Sequence, residues 1–171
     1  MRLDKQIFIF LNGLAHKSRI LDGLWVFLAQ YAIFIFALAL IYLLRKDRKL
    51  FLKAASAALI TVIAVALIKK IWFLPRPFLK ENARLLMPHI LDSTFPSKHA
   101  AVSFALALGI FLEKKKLGLW LLILAFLISL SRIVAGVHYP SDIFAGALIG
   151  AAIAYINHKF IPRGHKTAGC G

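Results

Sequence analysis

Three short stretches of this sequence hold residues able to handle a phosphate group. The first is Lys69, followed after six residues by Arg76-Pro77. The second is Pro96-Ser97-Lys98-His99. The third is Ser131-Arg132, then His138 and, four residues later, Asp142. Arginine forks match phosphate oxygens two at a time and lysine supplies a compact point charge, so Lys69, Arg76, Arg132 and Lys98 form a cationic set suited to an anion. Ser97 stands where a helix N-cap belongs, ahead of the apolar run Ala100 to Leu112. The N–H groups of that first helical turn are a second means of holding an anion. His99 and His138 complete the chemistry: one imidazole can attack phosphorus while the other protonates the leaving group, and Asp142 is spaced to orient His138.

Each residue also has a plain structural reading. Lys69 and Lys70 can snorkel to a membrane interface, Pro77 can end a helix with Arg76 solvated beside it, and Ser97 can be a cap and no more. Asp142, just after Pro140 and Ser141, can serve a helix dipole. What favours a site is that all of them fall on one face of the apolar segments that carry them.

Those segments dominate the chain. Of 171 residues, 61% are hydrophobic, the mean hydropathy is +0.80, and the surplus lies in long runs. Composition therefore points to an all-α fold, a polytopic membrane bundle of five to six transmembrane helices. Segments of about ten alternating residues, the mark of a membrane β-barrel, are missing. The expected spans are Leu24 to Leu44, Phe51 to Leu74, Ser97 to Leu112, Leu117 to Val134 and Ser141 to Phe160. Asp4 to His16 is short for a crossing and reads as an interfacial or short tilted helix. Pro75 and Pro77 stop the second span, and Phe78 to Phe95 forms an irregular polar loop. Residues 1–162 read as one domain and 163–171 as a disordered tail.

Net charge is +15, with 22 Lys and Arg against 7 Asp and Glu. The positive charges cluster between apolar runs, which is the pattern of membrane loops and not of a nucleic-acid-binding face. Arg45, Lys46, Arg48, Lys49 and Lys53, then Lys114 to Lys116, then Lys159, Arg163 and Lys166 share one face if the five spans alternate. The positive-inside rule makes that face cytoplasmic and puts the phosphate-handling residues on the outer one. Lys17 and Arg19 fit this scheme less well. The single cysteine, Cys170, excludes a disulfide or a cysteine zinc site within one chain. His16, His89, His158 and His165 show no metal-ligand spacing, and no metal or cofactor is expected.

The three stretches together, Lys69 to Arg76-Pro77, Pro96 to His99 and Ser131-Arg132 to His138 and Asp142, resemble the three-part signature of the type 2 phosphatidic acid phosphatases. That superfamily also includes the vanadium haloperoxidases. Ile7-Phe8 to Asn12-Gly13-Leu14-Ala15, Leu21-Asp22 and Phe27 to Ala32 are similar to the bacitracin-resistance type of undecaprenyl-diphosphate phosphatase. The resemblance implies a helical bundle with its site at the outer membrane–water boundary. It implies His138 as nucleophile forming a phosphohistidine, Asp142 as its orienter, and His99 as general acid. Lys69, Arg76, Ser97 and Arg132 would hold the phosphate. Lys98 departs from the usual glycine of the second motif and is expected to contact a second phosphate or the head group. The implied partner is a lipid phosphate in a bacterial inner membrane, undecaprenyl diphosphate first. Lipid A 1-phosphate and phosphatidylglycerol phosphate are rivals of the same chemistry, and a lipid or drug transporter is the non-enzymatic rival.

Overall fold

The computed structural model describes residues 2–88 and 91–161. Met1, His89, Ile90 and residues 162–171 lie outside the described residues, and with them Arg163, His165, Lys166, Cys170 and the expected tail. All regular structure among the described residues is helical: α1 (Arg2–Asn12), α2 (Arg19–Val26), α3 (Ile33–Lys46), α4 (Arg48–Ile71), α5 (Pro77–Lys80), α6 (Lys98–Glu113), α7 (Lys115–Val134) and α8 (Pro140–Phe160).

Three helices, α4, α7 and α8, are long and apolar enough to cross a membrane, and α2–α3 makes four if the bent pair counts as one span. The expected straight span from Leu24 to Leu44 is instead broken. A π-helical turn at Phe27–Tyr31 joins α2 to α3, and the two halves meet at a bend of 46°. One extra residue in a helical turn disturbs the hydrogen-bond ladder and redirects the axis. The expected span from Ser97 is the 16-residue α6, about 24 Å long at 1.5 Å per residue. α6 is the central helix, packed against α4, α7 and α8.

Small residues let these helices close on one another. Ala100, Ala101, Ala105 and Ala107 of α6 are buried, and two glycines of α8 face them. A Cβ on Gly150 would lie 2.0 Å from the Ala101 carbonyl oxygen, and one on Gly146 would lie 2.6 Å from that of Ser97. Backbone contact this close gains dispersion energy that apolar burial cannot supply inside lipid. Below the site, Leu43, Leu50, Ile110, Leu121 and Ile128 fill the bundle core.

Helix ends set the site. Asp47 caps α4, its Oδ1 accepting from the Leu50 N–H at 3.1 Å. The loop expected at Arg45–Lys49 is therefore this cap alone, and Arg48, Lys49 and Lys53 belong to α4. Lys53 is buried and pairs with Glu113 at 2.7 Å, so it does not belong to a solvated basic loop. With Lys114–Asp47 at 3.4 Å, this pair fastens the end of the bundle that carries the charged clusters. The C-termini of α4 and α7 and the N-termini of α6 and α8 meet at the other end. α1 is tied down there: Asn12 donates to the carbonyls of Arg84 and Val134 at 2.8 Å each and accepts from the Arg84 N–H at 2.8 Å. Asp4 accepts from the N–H and hydroxyl of Ser141 at 2.9 and 2.7 Å.

Candidate active site

Proline ends α4 because it offers no N–H to continue the ladder. The chain then leaves the helix as Leu74-Pro75-Arg76-Pro77 and carries the Arg76 side chain inward, where it is 2% exposed. Its Nη1 donates to the Val137 carbonyl at 2.8 Å and lies 3.4 Å from Nε2 of His138. Its Nε and Nη2 both donate to Oδ1 of Asp92, at 2.8 and 2.5 Å. Lys69, at the end of α4, reaches the other oxygen of Asp92 at 3.3 Å and also donates to the Ser93 carbonyl. Lys69 and Arg76 thus grip the two oxygens of one carboxylate.

His138 lies between α7 and α8 and is 2% exposed. Its Nδ1 faces the Thr94 hydroxyl at 3.2 Å and Oδ2 of Asp142 at 3.5 Å. Asp142 sits in the first turn of α8. Its Oδ2 accepts from the Thr94 hydroxyl at 2.5 Å and from the Tyr139 N–H at 2.8 Å. Burial first, then the charges of Arg132, Arg76, Lys69 and His99, push the His138 pKa well below its ordinary 6.5. The ring is therefore neutral at physiological pH, with Nε2 turned toward the Arg76 side. Burial alone would raise the Asp92 carboxyl, but hydrogen bonds and charge from Arg76 and Lys69 outweigh it and hold the group below its ordinary value.

The other expected residues take different places. Ser97 is fully buried; it caps α6 by accepting from the Ala100 N–H at 3.5 Å, and its own N–H donates to the Asp142 carbonyl at 3.1 Å. It joins the first turns of α6 and α8. Arg132 is buried, with Nη1 donating to the Ala29 carbonyl in the π-turn at 3.0 Å. His99 is partly buried in the first turn of α6, near enough for its charge to act on His138. Lys98 is exposed and stands outside the buried set.

Sequence reasoning missed Asp92 and Thr94. Thr94 stands two residues ahead of the second stretch, which begins at Pro96, and nothing in its local pattern marks it. Asp92 looked like one more polar residue of an irregular loop, and only folding sets it on two cations.

A buried neutral imidazole beside a cation pair, at the end of a bundle of membrane helices, defines a membrane protein able to transfer a phosphoryl group: the imidazole can attack and the cations can carry the charge. The chain belongs to the PAP2 superfamily, whose family model matches residues 30–166. It is a multi-pass membrane protein and a PAP2 lipid phosphatase. It is similar to "Undecaprenyl-diphosphatase BcrC" of Bacillus subtilis, 31% identical over 162 residues, 92% of this chain and 84% of that protein. It is also similar to "Bacitracin transport permease protein BcrC" of Bacillus licheniformis, 38% identical over 157 residues, 89% of this chain and 77% of that one. Among solved structures, LpxE of Aquifex aeolicus superposes with a TM-score of 0.80 at 31% identity, covering 92% of this chain and 95% of that chain.

Proposed function

We propose that this phosphatase hydrolyses undecaprenyl diphosphate to undecaprenyl phosphate and inorganic phosphate on the outer face of a bacterial inner membrane. The observation that carries the chemistry is the buried His138, its Nε2 beside Arg76 and its Nδ1 turned away toward Thr94 and Asp142. The choice of lipid rests on similarity to an undecaprenyl-diphosphatase along nearly the whole chain. In this reading α2–α3, α4, α6, α7 and α8 make five crossings, residues 1–162 form one domain, and the basic end of the bundle is cytoplasmic.

The terminal phosphate displaces the Asp92 carboxylate from Lys69 and Arg76. Nε2 of His138 attacks phosphorus, the bond from phosphorus to the bridging oxygen breaks, and that oxygen takes a proton from protonated His99. Undecaprenyl phosphate leaves. Water, giving a proton back to His99, then attacks the phosphohistidine, the P–N bond breaks, and inorganic phosphate departs with His138 neutral again. Arg132 and the first turn of α6 behind Ser97 add positive potential, and Lys98 meets the second phosphate or the head group. Lys69 and Arg76 carry the developing charge, so the reaction runs without a metal.

The test is phosphate release in detergent from undecaprenyl diphosphate, lipid A, phosphatidylglycerol phosphate and phosphatidic acid, with EDTA present. Turnover that persists in EDTA and is fastest on undecaprenyl diphosphate is expected. Preference for another lipid would reassign the substrate, and head-group binding without release would favour the transporter.

Displacement of Asp92 gives a second expected result. Asp92→Asn removes the competing charge, so inorganic phosphate should inhibit at a concentration about 3- to 10-fold lower, the equivalent of a partly exposed charged pair. Weaker inhibition would mean that Asp92 organises the cations and does not compete for them.

A further inference from the structure

The Thr94 hydroxyl has one proton and two polar neighbours. It donates to Oδ2 of Asp142 at 2.5 Å. Toward Nδ1 of His138, at 3.2 Å, it is left only its lone pairs. Nδ1 must then carry the ring proton and donate it to Thr94, which leaves the lone pair on Nε2, the nitrogen nearest Arg76. Oδ2 of Asp142 lies farther from Nδ1, at 3.5 Å, and is already taken by the Thr94 hydroxyl and the Tyr139 N–H. The bond that selects the ring tautomer therefore runs through Thr94.

We propose that Thr94 is a positioning residue of this reaction, coupling Asp142 to His138 and fixing which ring nitrogen can attack. Thr94 is 1% exposed, as befits a group whose hydroxyl is used twice. Its backbone is pinned by its own N–H, which donates to the Leu74 carbonyl at 2.8 Å. That bond spans from the end of α4 to the residues leading into α6, so the hydroxyl is delivered by a fixed frame. Without the hydroxyl, Nδ1 has only the longer 3.5 Å approach to Asp142, so the ring loses the close bond that holds Nε2 toward Arg76.

This inference rests on the His138 chemistry proposed above, and the experiment separates the two. Purified full-length enzyme, Thr94→Val, Thr94→Ser and His138→Ala are compared for release of phosphate from undecaprenyl diphosphate, and for inhibition by inorganic phosphate. Valine keeps the shape and loses the hydroxyl; serine keeps the hydroxyl. Thr94→Val should lower kcat on the order of 10- to 100-fold, the loss of one buried hydrogen bond to a reacting group. Its inhibition by inorganic phosphate should stay within about twofold of wild type, because the hydrogen bonds of Lys69 and Arg76 go to Asp92, Ser93, Val137 and His138 and not to Thr94. Thr94→Ser should recover most of kcat. A valine variant as fast as wild type overturns the inference. So does a valine variant that loses phosphate inhibition and kcat together, or a serine variant as slow as valine, since each marks a role in folding or packing alone. If His138→Ala retains full activity, the His138 chemistry itself is wrong, whatever Thr94 does.

Discussion

Replacing His138 by alanine should abolish phosphate release from every lipid tested, a fall of at least ~10⁴-fold in kcat, the scale seen when a nucleophile is removed from a preorganised site. The cation pair of Lys69 and Arg76 remains, so the variant should still bind inorganic phosphate. The measurement is turnover alongside phosphate inhibition of lipid binding. Activity within tenfold of wild type would exclude the ring as nucleophile. The wild-type pH profile provides an independent arm. Burial, then the charges of Arg132, Arg76, Lys69 and His99, disfavour the protonated ring, while Asp142 faces it with the opposite sign. The folded pKa lies below the ordinary 6.5, so the neutral nucleophile persists there and the acid limb of kcat/KM falls below pH 6.5. Stability follows the same sign. The unfolded ring binds a proton more readily, so the stability held above pH 6.5 is lost as pH falls toward the folded value.

Arg76→Lys should cost about 10²- to 10³-fold in kcat/KM while the bundle still folds. Arg76 spends Nε and Nη2 on one anionic oxygen and Nη1 on the Val137 carbonyl beside His138. A lysine brings one nitrogen and cannot serve both. Removing one preorganised donor from a site that stabilises developing charge costs about 2.7–4 kcal/mol, which gives that range. Phosphate inhibition should weaken in parallel, and the melting temperature in detergent should report that the helices remain assembled. A lysine variant within about threefold of wild type would show that a point charge suffices and that the fork has no role.

The apolar runs and the helix-end motifs were legible because ionisable groups beside membrane segments are costly and stand out against them. Lys69, Arg76, Ser97, His138 and Asp142 do converge at one end of the bundle. Three things were not legible. The break at Phe27–Tyr31 contains neither glycine nor proline, so the run reads as continuous. Lys53 looked like loop charge because its partner, Glu113, lies 60 residues away. Asp92 and Thr94 lie 16 and 44 residues from the Arg76 and His138 groups they contact. A local pattern carries no trace of such pairings.

With Asp92 lying across Lys69 and Arg76, the proposed binding of phosphate there is an ion exchange and not the filling of bare positive charge. A tethered anion acts at an effective concentration on the order of millimolar when its linker is short and flexible. In the proposed scheme stray phosphate well below that level does not hold the site, and a departing product ion is replaced by Asp92. In the structure Asp92 already holds Lys69 and Arg76 on one carboxylate.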